Sequence, residues 1–191
     1  MKKVGTIKLH SKRLVLRALK NDDLDLYCIY HYLDNDTRVN KYMRPIHSGI
    51  GSNSKLYLQL VTSRYEEPYF FTWGITLKES DIVIGTLEIY NVNKQAKQGE
   101  IGFRLAYEFW NHGYMSEALA RVLEFAFKEV GFAMIIVHVN AKNIAAQKVA
   151  SKQGFVHIHT YEEIQTNTNT SQILKYELSK HTWLERLINN D

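Results

Sequence analysis

Apolar and polar residues alternate first in RLVLRAL, residues 13–19, where Leu14, Leu16 and Ala18 share one parity, the period of a strand with one buried face. The polar triplet Asn21-Asp22-Asp23 then offers a helix N-cap before LDLYCIYHYL, because Asx side chains accept from the unpaired N–H groups of a first turn. From Met43 to Asn53, glycines, Pro45 and polar residues predict a loop, after which Ser54 caps a second helix through about Glu66. FFTWGITL at 70–77 and IVIGTLEIY at 82–90 read as strands of an antiparallel hairpin joined by Lys78-Glu79-Ser80-Asp81.

In the second half, the polar loop NVNKQAKQ leads to a strand, EIGFRLA at 100–106. A helix follows from Ser116, with Leu119, Val122, Leu123, Ala126 and Val130 as one apolar stripe and Gly131 as its stop. MIIVHV at 134–139 is a short strand, and a helix runs from about Asn143 to Gln153, ended by Gly154. FVHIHTY and ILKYEL make strands on either side of a Thr/Asn-rich loop at 165–172, and the tail from Thr182 is a short amphipathic helix. Strands outnumber helices, several neighbouring strands read as antiparallel, and the strand–helix–strand–helix run supplies a parallel pair. The fold class is α/β in the mixed-sheet, α+β sense. With no internal repeat or linker, the 191 residues read as a single domain, 1–191, with one active site.

Composition narrows the function classes. Hydrophobic residues at 45%, charged residues at 23% and two prolines describe a globular chain. No apolar run approaches the ~20 residues of a membrane span, and MKKVGTIKLHSKR lacks the apolar middle of a signal peptide, so a cytoplasmic protein without a membrane partner is expected. Cys28, the single cysteine, lies in an apolar stretch and reads as a buried structural thiol. The net charge of +4 suits an anionic ligand. The basic residues are dispersed, however, and no basic helix with interleaved aromatics is present, so no nucleic-acid partner is expected. His157 and His159 fall on one face of a strand without a third ligand at suggestive spacing, and no metal is expected.

The segment with chemistry is EIGFRLAYEFWNHGYMSEAL, residues 100–119. A strand that feeds a helix through Gly113 presents unpaired backbone N–H groups and the positive end of the helix dipole, which makes an anion cradle. By itself this geometry serves any phosphate ligand, or is a helix cap with no ligand. The segment resembles the coenzyme A loop of the GNAT superfamily of N-acetyltransferases, with its pattern Gln/Arg-x-x-Gly-x-Gly/Ala. The likeness is to the ribosomal-protein N-terminal acetyltransferase branch, where the loop often reads Trp-Gly-x-Gly-Tyr-Ala/Met-Thr-Glu-Ala; here it is Trp110-Asn111-His112-Gly113-Tyr114-Met115-Ser116-Glu117-Ala118. The helix from Asn143 to Phe155 is similar to the family's Asn-x-x-Ser…Lys-x-Gly-Phe helix, and with RLVLRAL the resemblance covers residues 12–178.

The resemblance implies a mostly antiparallel central sheet with a splayed parallel strand pair, flanking helices, and acetyl-CoA as the acetyl donor. Backbone amides of Asn111, His112, Gly113, Tyr114, Met115 and Ser116 would hold its pyrophosphate. The strand edge Phe103, Arg104 and Leu105 would pair with the pantetheine arm, and Asn143 would bond beside it. Lys142, Lys148 and Lys152 would either meet the outer phosphate or form a solvated helix face. The acceptor is a primary amine, a protein N-terminus first or a small amine such as a polyamine or aminoglycoside, attacking directly in a ternary complex. Homodimers are common in this family, so a homodimer is a possible assembly.

A base must take the amine's proton, and Glu100, Glu88 and His138 are the candidates, with a backbone N–H near Leu105 for the oxyanion. The family's serine and tyrosine that protonate the departing thiolate are replaced by Ala146 and Ala150. Tyr114, Ser151 or solvent then supplies that proton, or the chain is a weak or inactive coenzyme A-binding module. Tyr42, Tyr69, Phe70, Phe71 and Trp73 either line an apolar acceptor pocket or pack the core.

Overall fold

A computed structural model describes residues 1–42, 53–166 and 169–189. Its order is β1 (Leu9–His10), β2 (Leu14–Arg17), α1 (Asp23–Cys28, continued by a π-helical turn over Ile29–Asp34), α2 (Thr37–Asn40), α3 (Ser54–Thr62), β3 (Phe71–Leu77), β4 (Val83–Asn93) and β5 (Gln98–Leu105). Then follow α4 (Tyr114–Glu124, with a π-helical continuation over Phe125–Val130), β6 (Met134–Asn140), α5 (Ile144–Lys152), β7 (Val156–Thr166), β8 (Asn169–Ser179) and α6 (Lys180–Asn189). One eight-stranded sheet runs β1-β2-β3-β4-β5-β6-β8-β7. Every neighbouring pair is antiparallel except β5 with β6.

The alternation along each strand separates two faces. Leu14, Leu16, Phe71, Trp73, Leu87, Ile89, Ile101, Ile135 and Val137 bury one face under Leu119, Val122, Leu123 and Phe127 of the α4 helix. A second cluster, with Cys28, Ile29, Leu33, Leu58, Val61 and Val83, seats α1 and α3. Cys28 is fully buried there, and burial pushes its thiol up, as suits a structural residue. Phe71 and Trp73 are core residues, stacked at 6.2 Å and packed on Phe125, so they line no acceptor pocket.

Local signals account for most boundaries. Asp22 accepts from Asp25 N–H and starts α1 as predicted. The cap of α3 is Asn53, whose side chain accepts from Leu56 N–H; Ser54 instead donates to Asp34, and the helix stops at Thr62. Two predicted loops are shorter than their polar residues suggest. β4 continues to Asn93 and β5 begins at Gln98, so only a tight turn separates them. Likewise β7 and β8 pair as far as Thr166↔Asn169, where a loop over 165–172 was predicted; positions 167 and 168 lie outside the described residues. Residues 43–52 of the loop after α2 also lie outside them. A register shift between His157 and His159 puts His157 opposite Tyr176 and His159 opposite Lys175. One extra residue in a strand reverses its parity, so these histidines are on opposite faces rather than one.

Candidate functional site

β5 and β6 pair at only three positions, Gln98↔Met134, Gly99↔Ile135 and Glu100↔Ile136. Beyond Glu100 each strand continues without the other, β5 to Leu105 and β6 to Asn140, which is the splay that the family resemblance implies. β5 meanwhile stays on β4, ending with Gly85↔Leu105 and a bond of 2.8 Å from Ala106 N–H to Ile84 O. Alternate residues of an antiparallel ladder turn their amides to opposite neighbours, so those of Phe103 and Leu105 face the opening. The Leu105 carbonyl accepts the Trp110 indole N–H at 2.7 Å. An exposed strand edge of this kind suits an extended amide-bearing chain. Arg104 differs from its neighbours: its amide turns to β4, and its guanidinium pairs with Asp34 at 2.6 Å.

The turn after β5 is built by two left-handed residues, Asn111 (φ 62°) and Gly113 (φ 76°). Gly113 is the N-cap of α4 and contributes no side-chain cap, so the first amides of the helix are turned to solvent at the positive end of its dipole. Met115 inserts its side chain into the core, which leaves its backbone as the ligand-facing part. His112 Nδ1 is 2.7 Å from the Trp110 carbonyl. A carbonyl only accepts, so Nδ1 carries the proton and Nε2 is left outward. The His112 ring stacks on Tyr114 at 5.7 Å.

Arg13, which the sequence reading did not single out, braces this turn. Its Nε donates to Glu117 Oε2 at 2.7 Å, its backbone N–H to Glu117 Oε1, and its NH1 to the His112 carbonyl at 3.0 Å. The guanidinium also lies over the Tyr114 ring at 4.4 Å. Burial pushes Glu117 up, but the Arg13 and Ser11 bonds outweigh it and hold its carboxyl below the usual glutamate range. The turn therefore combines aimed amides with a fixed cation, and fits a pyrophosphate.

On the face opposite α4, the three base candidates converge. Glu100 sits at the last paired position of the splay, and its Oε2 is 3.7 Å from His138 Nε2 on β6. Asn91 donates to Glu100 Oε1 at 3.1 Å. Glu88 is across from Gly102, one step along β4, and its carboxylate lies over that glycine, 3.4 Å from where a Cβ would stand. Burial pushes the Glu88 carboxyl up, and the Arg104 charge pulls it partly back.

Other predicted residues are engaged differently. Asn143 caps α5, accepting from Ala146 N–H at 3.1 Å, which commits its side-chain oxygen. Ser151 is exposed on the last turn of α5, as are Lys142, Lys148 and Lys152 around that helix. Tyr114 is held between Arg13 and His112. Tyr161 does reach a base candidate: its hydroxyl is 3.0 Å from His138 Nδ1. The sequence hint was parity, since Tyr161 alternates with His159, but nothing local says that it reaches over β8 to β6. A surface groove of about 610 Å³ between α1 and the start of α3, lined by Asp23, Tyr27, Tyr30, His31 and Lys55, contains none of these residues. Among the described residues no group of three or more His, Cys, Asp or Glu side chains is arranged for a metal ion, and no helix is long and apolar enough to cross a membrane.

Residues 13–156 match the family model described as an acetyltransferase (GNAT) domain. The chain is 27% identical over 147 residues, 77% of its length and 81% of the relative's, to the uncharacterised N-acetyltransferase p20 of Bacillus licheniformis. Its fold is similar to that of the ribosomal-protein-S5-alanine acetyltransferase of Vibrio fischeri, with a TM-score of 0.73 at 16% identity over 93% of this chain and 98% of that one. It is also similar to a chimera of the spermidine N-acetyltransferase SpeG of Vibrio cholerae with hSSAT, with a TM-score of 0.75 at 21% identity over 91% of this chain and 99% of that one.

Proposed function

Since the chain belongs to the GNAT acetyltransferase family, an acetyl-CoA-dependent N-acetyltransferase, we propose that residues 1–191 act as one domain that acetylates a primary amine, a polypeptide α-amine before a small polyamine. The observation that carries this reading is the approach of Glu100 and His138 to 3.7 Å on one face of the splay, with Glu88 on the same face opposite Gly102 and the braced amide turn at its end.

Acetyl-CoA supplies an activated thioester carbonyl. Amides of residues 111–116 hold its pyrophosphate, supported by the Arg13 guanidinium, and the Phe103–Leu105 edge receives its pantetheine amides. The Leu105 N–H is the donor for charge that builds on the carbonyl oxygen. Glu88 and Glu100 draw in the acceptor as its ammonium, and Glu100 takes the proton the nitrogen must lose, directly or through a water. An α-amine with a pKa of ~7.7–8.0 is already partly free at neutral pH, whereas a primary alkylamine near ~10.4 is not, which favours the peptide. The second reading, a polyamine, rests on Glu88 and Glu100 as two carboxylates one step apart on the acceptor face. Water protonates the departing thiolate, because Ala146 and Ala150 have no proton to give.

The test is to incubate the protein with acetyl-CoA and a panel of N-terminal peptides, spermidine and aminoglycosides, follow thiol release, and identify the acetylated nitrogen by mass spectrometry. Release that depends on a peptide α-amine supports the first reading, and release with spermidine alone the second. Tight acetyl-CoA binding with no transfer to any amine would overturn both.

A further inference from the structure

His138 has a polar neighbour at each ring nitrogen. Nε2 faces Glu100 Oε2 at 3.7 Å, and Nδ1 lies 3.0 Å from the Tyr161 hydroxyl, with the two rings edge-on at 5.8 Å and 78°. With the bond from Asn91, a line of polar groups runs from β4 through Glu100 on β5 and His138 on β6 to Tyr161 on β7. His138 is 14% exposed and Glu100 23%, so the line is partly shielded from water. Titratable groups on this face of the sheet include Lys175 and Glu177 on β8, paired with each other at 2.6 Å, and His159, Tyr161 and Glu163 on β7, with the His159 and Tyr161 ring centroids 5.8 Å apart. Beyond Glu100, on β4, lies Glu88.

A neutral imidazole carries one proton, and the partner at one nitrogen decides where it sits. A carboxylate only accepts, so the proton of the neutral ring belongs on Nε2, toward Glu100, and Nδ1 is then the acceptor of the Tyr161 hydroxyl proton. Without Tyr161 the proton is free to move to Nδ1, and the Nε2 lone pair then faces a carboxylate, which is repulsive. We propose that Tyr161 is a positioning residue for the transfer reaction: it fixes the Nε2–H tautomer of His138 and so keeps the Glu100 carboxylate oriented to accept the amine proton. This rests on the reading of Glu100 as the base. The proton passes from the amine nitrogen to a Glu100 oxygen as the N–C bond forms and the C–S bond breaks, and neither His138 nor Tyr161 changes its proton count.

The direct test is the ¹⁵N–¹H long-range NMR spectrum of the His138 ring in the free protein, which needs no turnover. The Nε2–H tautomer in the wild type, giving way to a mixture in Tyr161→Phe, is expected; Nδ1–H in the wild type would overturn the proposal. In kinetics, Tyr161→Phe should lower kcat roughly five-fold, about the value of one neutral hydrogen bond. It should leave KM for acetyl-CoA unchanged. In a His138→Asn background the same change should have no further effect, because Tyr161 acts through the imidazole. Additive losses, or a raised KM for acetyl-CoA with kcat unchanged, would contradict it. If the tautomer behaves as stated but the wild type transfers acetyl to no amine, the proposed function fails, and only the hold of Tyr161 on the His138 tautomer stands.

Discussion

Arg13 and Glu117 are 104 positions apart in the chain and meet at 2.7 Å, joining the turn between β1 and β2 to the first turn of α4. The same arginine holds the His112 carbonyl, so this pair fixes the turn whose amides are turned outward. With the Arg13 side chain 43% exposed, its charge-assisted bonds are screened and are worth about 1 kcal/mol. Arg13→Ala is expected to raise KM for acetyl-CoA about five-fold at little cost in kcat, as steady-state kinetics with the donor varied will read. Because the Glu117 carboxyl is held below its ordinary range, its stabilisation is present above the unfolded value of ~4.3. It is lost as pH falls through the lower folded value, and in Glu117→Gln this acid dependence should be reduced.

Gly113 has φ 76°, and a Cβ there would find only ordinary contact with Arg13 at 3.5 Å. The penalty of Gly113→Ala is therefore backbone strain, about 1–2 kcal/mol for a residue with a Cβ in the left-handed region. Thermal melts should show a loss of that order, and calorimetric titration should show weaker acetyl-CoA binding, since the turn relaxes away from the geometry that aims its amides.

Burial raises the Glu88 carboxyl above its usual range, so its charged form costs the fold stability at neutral pH. Glu88→Gln is expected to raise the melting temperature at pH 7–8. The gain should fade as pH falls below the ordinary glutamate value of ~4.3, where the wild-type side chain is protonated in both states. The same variant should raise KM for the amine and leave KM for acetyl-CoA alone.

Asn143 holds the N-terminus of α5 through Ala146 N–H. Asn143→Ala should destabilise the protein by about 1 kcal/mol, while Asn143→Ser, which also caps, retains most of it. Denaturant melts of the two variants separate capping from any contact with the donor, which would be lost in both.

The elements legible in the sequence were those whose signals are local. Asp22 before α1, Gly131 after α4 and the alternation in β2 each follow from a few neighbouring residues. Polar composition misled where a paired strand tolerates it: Asn91, Gln98 and Gln172 read as loop, yet the ladders of β4, β5 and β8 include or adjoin them. At the site, Glu100 and His138 were legible as types on neighbouring strands, and the structure brings them to 3.7 Å. Arg13 and Tyr161 were not, because each acts over a long sequence separation through a partner that no local pattern names.

The central claim is that Glu100 removes the acceptor's proton at the mouth of the β5–β6 splay. It is tested most directly by acceptor-dependent thiol release from acetyl-CoA, wild type against Glu100→Gln, with a saturating acceptor. General-base catalysis contributes roughly 10²–10⁴-fold, so a fall in kcat of at least about 100-fold, with KM for acetyl-CoA unchanged, is expected. A Glu100→Gln enzyme that turns over at the wild-type rate would contradict the account.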